Sequence, residues 1–120
     1  MPLRWDYESA MAETHPLDSL FAVIQSRKGA SPETSYTAKL FAQGTLKIAK
    51  KLGEEGVETA LAAVAENDEA LINESADLLY HLLVLWAARD LAPQDVYRAL
   101  EGRTQRSGLA EKAARDPGTA

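Results

Sequence analysis

The sequence predicts an all-α fold, a helical bundle of four to five helices, and three observations carry that expectation. Alanine and leucine are abundant while aromatic residues make up only 7% of the chain, a balance that favours helices over sheets. Two long segments, 46–66 and 68–91, place their apolar residues at helical spacing. No stretch alternates apolar and polar residues as a half-buried strand would, and no internal repeat is visible. With 120 residues, 46% of them hydrophobic, the chain has the size and composition of a single globular domain.

Residues 1–14 read as a poorly ordered N-terminal arm in which Trp5 and Tyr7 could dock. Thr14 is placed to cap a first helix over about 17–28, where Leu17, Leu20, Phe21 and Ile24 recur at helical spacing. Gly29 to Ser35 form a polar connector, and Ser35 caps a short helix that ends near Gly44. Thr45 is expected to cap a third helix over about 46–66. The fourth starts at Asp68 and runs to about Leu91, where Pro93 forbids simple continuation. Pro93 suits the first turn of a fifth helix, through about Arg103. The domain thus spans 15–107, and residues 108–120 form a small, polar tail expected to fray.

The fourth helix is apolar nearly all round, with Leu78, Leu79, Leu82, Leu83, Val84, Leu85 and Trp86 covering several faces. Such a helix is buried on most sides. So short a chain has few helices to cover it, and the bundle is expected to be completed by a second copy, as a homodimer.

Composition also excludes functions. There is no cysteine, hence no disulfide and no thiolate metal site, which fits a cytoplasmic location. A net charge of −5 argues against non-specific nucleic-acid binding. The most apolar run, Leu78 to Ala88, is too short to span a bilayer, and the first residues lack the apolar core of a signal peptide. Neither a membrane nor a nucleic acid is expected as a partner.

Charge is segregated along the chain. Between Thr34 and Gly53 stand four lysines (Lys39, Lys47, Lys50, Lys51) and no acid, whereas Glu54 to Ala88 holds eight acids and neither Lys nor Arg. A solvated helix normally pairs the signs at i,i+4. Helical geometry puts Glu54, Glu55 and Glu58 within one arc, and Lys47 and Lys51 share its direction. Lys50 falls outside the arc and serves either a neighbouring subunit or the surface.

On the fourth helix, Glu74 and Asp77 form an i,i+3 pair that interrupts the apolar pattern, with His81 on the same stripe. Antiparallel packing of the two long helices would set Glu55 and Glu58 opposite Glu74 and Asp77. Unpaired carboxylates are costly to bury, so such a group needs a cation. All-oxygen donors suit Mg²⁺, with Mn²⁺ as a substitute. A solvated acidic face is the ordinary alternative and stays open on spacing alone. The Glu-x-x-His pairs of di-iron bundles are absent, so His81 reads as a hydrogen-bonded core or site-wall residue. His15, beside Pro16, is expected to be exposed.

Ser35-Tyr36-Thr37, Lys39-Leu40, Gly44, the run Lys50-Lys51-Leu52-Gly53-Glu54-Glu55-Gly56-Val57-Glu58, and Glu74-Ser75-Ala76-Asp77-Leu78-Leu79-Tyr80-His81 together resemble the phosphoribosyl-ATP pyrophosphatases of histidine biosynthesis. The Asp95-Val96 region continues the match, which covers about residues 17–107. The paired acidic motifs alone are shared with the wider all-α NTP pyrophosphatase (MazG-like) superfamily. Gly56 stands where relatives often carry alanine.

The resemblance implies Mg²⁺-dependent hydrolysis of phosphoribosyl-ATP, a small nucleotide, to phosphoribosyl-AMP and pyrophosphate. It assigns Glu55, Glu58, Glu74 and Asp77 as metal ligands. Glu54 and Glu55 make the catalytic pair, Glu54 being either a further ligand or the carboxylate that orients the attacking water. Lys39, Lys47, Lys50 and Lys51 are assigned to phosphates, and Ser35 and Tyr36 to the phosphoribosyl end. Tyr80 and Trp86 read as core rather than as base-stacking residues. Two other functions stay open on the residues: a house-cleaning nucleotide pyrophosphatase, and a non-catalytic helical dimerisation module.

Overall fold

A computed structural model of the chain describes residues 14–104 and residue 115. The arm and tail expected at the two ends lie outside the described residues, Thr14 and Arg115 excepted. Among the described residues five helices follow one another in order: α1 (Pro16–Ser26), α2 (Tyr36–Gln43), α3 (Thr45–Ala65), α4 (Asp68–Ala88) and α5 (Pro93–Thr104). No strand occurs among the described residues, and the fold is an all-α bundle.

The starts and stops have local causes, and three differ from the sequence reading. His15, not Thr14, caps α1, its Nδ1 accepting from the backbone N–H of Leu17 at 3.1 Å. Gly44 sits between α2 and α3 at φ +92°, a conformation that excludes side chains from the role Thr45 was expected to fill. Thr45 is therefore the first residue of α3, with no side-chain cap before it. Helix α4 ends at Ala88, before the proline has any effect. Asp90 adopts φ +59°, Leu91 N–H reaches the Trp86 carbonyl at 2.9 Å and Asp90 N–H that of Ala87 at 3.1 Å. These bonds form a Schellman motif with aspartate in place of glycine.

Other signals act as expected. Ser35 caps α2 by accepting from Ala38 N–H at 3.1 Å, and Pro93 opens α5. Asn67, which the sequence did not single out, caps α4 through Ala70 N–H at 2.9 Å.

Helices α3 and α4 have 21 residues each, roughly 30 Å long, and a two-residue connection folds them into an antiparallel hairpin. Helices α1 and α2 lie against one end of α4, and α5 touches α1. The core forms where these elements meet. Ile24, Leu40, Ile48, Leu83, Val84 and Ala87 are buried there, with Phe21, Tyr80 and Trp86 packed against them. Tyr80 and Trp86 thus belong to the core side of the molecule. The α1–α5 contact is fixed by Tyr97, whose hydroxyl donates to Asp18 at 2.9 Å. Loss of hydration and that bond raise the Tyr97 pKa.

Within one chain α4 is covered most fully toward its C-terminal end, where His81, Leu83, Val84 and Ala87 are buried. Toward its start Ile72 is exposed, as is Leu79 further along, and Leu46, Val57, Leu61 and Val64 of α3 are exposed too.

Candidate functional site

Midway along the hairpin, beyond the hydrophobic core, carboxylates replace leucines. Glu55, Glu58 and Glu74 each bring an oxygen into a group whose members lie within 4.8 Å of one another. The antiparallel register is what joins them, and Thr59 makes a hydrogen bond that crosses between the two helices at this level. Its hydroxyl bonds the Glu55 carbonyl of its own helix at 2.7 Å and lies 3.1 Å from the Glu74 carbonyl of the facing one.

Glu55 is buried at 9% exposure, Glu74 is half-buried and Glu58 exposed. The cluster is electrostatically costly. Loss of hydration, then the charge of Glu58, holds the Glu55 carboxyl above its ordinary pKa, with Asp77 adding to the rise and His81 and Lys51 opposing it. Glu74 is raised for the same leading reasons, by lost hydration and then by Glu58, Glu55 and Asp77. Among the described residues, none of the three converging carboxylates has a lysine or arginine partner in an ion pair.

Asp77 is exposed and contributes no oxygen to that group of three, although its charge is felt by two of its members. Glu54 is not one of that group of three and is ion-paired with Lys51 at 3.6 Å. That pair joins the basic and acidic blocks that sequence order keeps apart. Lys50, Gly53, Glu54, Val57 and Glu58 line an open groove on the outer side of α3. Lys50 therefore shares a surface with the acids, because 50, 54 and 58 are successive i,i+4 neighbours. Lys39 and Lys47 are exposed on α2 and α3 and do not line this groove.

On the other side, α2 is tied to α4 by two adjacent side-chain pairs. The Tyr36 hydroxyl meets His81 Nε2 at 3.2 Å, and the Thr37 hydroxyl meets that of Tyr80. His81 is buried, and its Nδ1 reaches the Asp77 carbonyl at 2.8 Å. Its burial and two hydrogen bonds fit the expected hydrogen-bonded residue, whether of core or of site wall. Ser35 uses one lone pair of its hydroxyl oxygen to cap α2, which leaves its proton and second lone pair for a further contact. Thr59 escaped sequence reasoning, since nothing distinguishes it from any threonine of a helix until the facing helix is placed.

Comparison with known proteins agrees with this geometry. The profile of the phosphoribosyl-ATP pyrophosphohydrolase family matches residues 17–104. The phosphoribosyl-ATP pyrophosphatase of Azospirillum brasilense is 60% identical over 99 residues, covering 82% of this chain and 89% of the relative. That of Parvibaculum lavamentivorans is 58% identical over 104 residues, 87% of this chain and 95% of the relative. The Paramagnetospirillum magneticum protein of the same name is 56% identical over 99 residues, 82% of this chain and 91% of the relative. With a profile match spanning all five helices and relatives this similar over most of their length, the chain belongs to the phosphoribosyl-ATP pyrophosphohydrolase family.

Proposed function

We propose that this chain hydrolyses phosphoribosyl-ATP to phosphoribosyl-AMP and pyrophosphate with the help of Mg²⁺ held between α3 and α4. The observation that carries the reading is the convergence of Glu55, Glu58 and Glu74 from two helices, in a chain whose relatives are named for that activity. Three carboxylates without a cationic partner fit a hard divalent cation, and the set holds no softer donor. Asp77, one turn beyond Glu74, supplies a further oxygen donor, and Mn²⁺ is an acceptable substitute. Bound there, the ion neutralises phosphate charge and makes water more acidic.

The chain's own residues do the rest. Lys50 and Lys51, beside the acids, attract the polyphosphate, with Lys47 and Lys39 further out along its path. Glu54, held by Lys51, orients a water toward the phosphorus and takes its proton. The water oxygen forms a new P–O bond, the phosphoanhydride between the α- and β-phosphates breaks, and pyrophosphate leaves. Ser35 and Tyr36 face the phosphoribosyl end.

The active form in this reading is a homodimer. Its support is the apolar stripe Leu46, Val57, Leu61 and Val64 along α3, of which Leu46 and Val64 are each 86% exposed. The reading places the enzyme in the cytoplasm, where amino-acid precursors are made. No described helix is long and apolar enough to cross a membrane.

Pyrophosphate release from a substrate panel tests the proposal. With Mg²⁺ present, phosphoribosyl-ATP is cleaved and dATP and dUTP are not. Hydrolysis of dATP or dUTP with phosphoribosyl-ATP untouched would move the chain to the house-cleaning pyrophosphatases. No hydrolysis of any nucleotide would favour a dimerisation module.

A further inference from the structure

The aromatic group at the start of α2 has no part in the carboxylate cluster, and several side-chain contacts tie it to α4. Tyr36 is 51% exposed, but three contacts hold it. Its hydroxyl meets His81 Nε2 at 3.2 Å. Its ring lies near-parallel to Tyr80, 6.3 Å away at 21°. Its edge meets the His81 ring at 6.1 Å and 77°. Tyr80 is fixed in turn by Thr37 and by an edge contact to His81 at 5.1 Å.

The tautomer follows from the backbone. A carbonyl only accepts, so the 2.8 Å contact with the Asp77 carbonyl puts a proton on His81 Nδ1. In the neutral ring Nε2 is then an acceptor, and the Tyr36 hydroxyl donates to it. The chain of contacts runs from the backbone of Asp77 through a buried imidazole to a half-exposed phenol. Here one face is left to solvent while the hydroxyl is anchored, which is how a protein presents a flat surface to a flat ligand.

We propose that His81 is a positioning residue which holds Tyr36 as a fixed aromatic contact for the phosphoribosyl-bearing base of the substrate. The inference rests on the hydrolase reading above. It assigns the two ends of the substrate to separate machinery: pyrophosphate to the carboxylates and lysines of α3 and α4, base and ribose to the Tyr36–His81 pair. Loss of the hydroxyl frees the ring, so binding must then order it, and the cost falls on ligands that carry a nucleoside.

Steady-state kinetics of the full chain with phosphoribosyl-ATP and Mg²⁺, with product inhibition by phosphoribosyl-AMP and by pyrophosphate, test the proposal. Tyr36→Phe should raise KM about fivefold, the size expected for one lost hydrogen bond, and weaken phosphoribosyl-AMP inhibition equally. Inhibition by pyrophosphate should stay within about twofold, a selectivity that a general loss of packing would not produce. His81→Phe should match Tyr36→Phe, and the double variant should be no worse than either single one. If His81→Phe does not fold, Tyr36→Phe decides alone through its two inhibition constants. An unchanged KM, an equal loss of pyrophosphate inhibition, or additive effects in the double variant would overturn the proposal while leaving the hydrolase reading intact. Failure of the wild type to cleave phosphoribosyl-ATP would overturn both.

Discussion

The hydroxyl of Thr59 lies 3.1 Å from the backbone carbonyl of Glu74 on the facing helix, and so ties α3 to α4 at the level of the carboxylate cluster. A hydroxyl has one proton, which Thr59 shares between this carbonyl and that of Glu55, 2.7 Å away. Replacing it tests whether the register of the site depends on a polar link. Thr59→Val, which keeps the shape, should cost about 1 kcal/mol of stability by chemical denaturation. It should also weaken Mg²⁺ binding, whereas Thr59→Ser should retain both.

The raised pKa values of Glu55 and Glu74 set the sign of a pH effect. A group that binds its proton more tightly when folded stabilises the fold below its unfolded pKa, and that stabilisation is lost as pH rises through the folded value. For Glu55 the loss begins near its ordinary 4.5 and continues upward. Thermal melts of metal-free wild type and Glu55→Gln should therefore coincide near pH 4 and diverge toward pH 7, the variant being the more stable. Saturating Mg²⁺ should reverse the order. A variant less stable than wild type at pH 7 without metal would contradict the account.

Gly56, where relatives often carry alanine, is not a point of close helix contact. A Cβ built there meets only the Leu78 side chain at 4.0 Å, an ordinary van der Waals contact. Gly56→Ala should raise stability by about 0.5–1 kcal/mol through helix propensity, seen as an increase of several degrees in Tm.

The exposed stripe on α3 predicts an oligomeric state. Leu61→Glu combined with Val64→Glu places charge where the proposed dimer would bury apolar surface. Light scattering should give a dimer for wild type and a monomer for the variant, with helical circular dichroism retained. A monomeric wild type would remove this part of the account.

What the sequence could convey follows the range of the forces involved. Helices α2 and α5 were legible because Ser35, Pro93 and the apolar spacing act within a few residues. The end of α4 was misread because a Schellman motif at Asp90 carries no glycine to announce it. The pairing of Glu55 and Glu58 with Glu74 was foreseeable once two long helices were joined by two residues. Lys50 was misplaced by reading a strict arc instead of the i,i+4 row it shares with Glu54 and Glu58. The Tyr36–His81 bond spans 45 positions, and no local rule reaches that far.

The central claim is that carboxylates from both long helices hold one divalent cation. Calorimetric titration of Mg²⁺ into wild type and into Glu74→Gln tests it most directly. The account predicts saturable binding by wild type and affinity at least about tenfold weaker in the variant, with circular dichroism showing the fold intact. Indistinguishable titrations of the two proteins would contradict it.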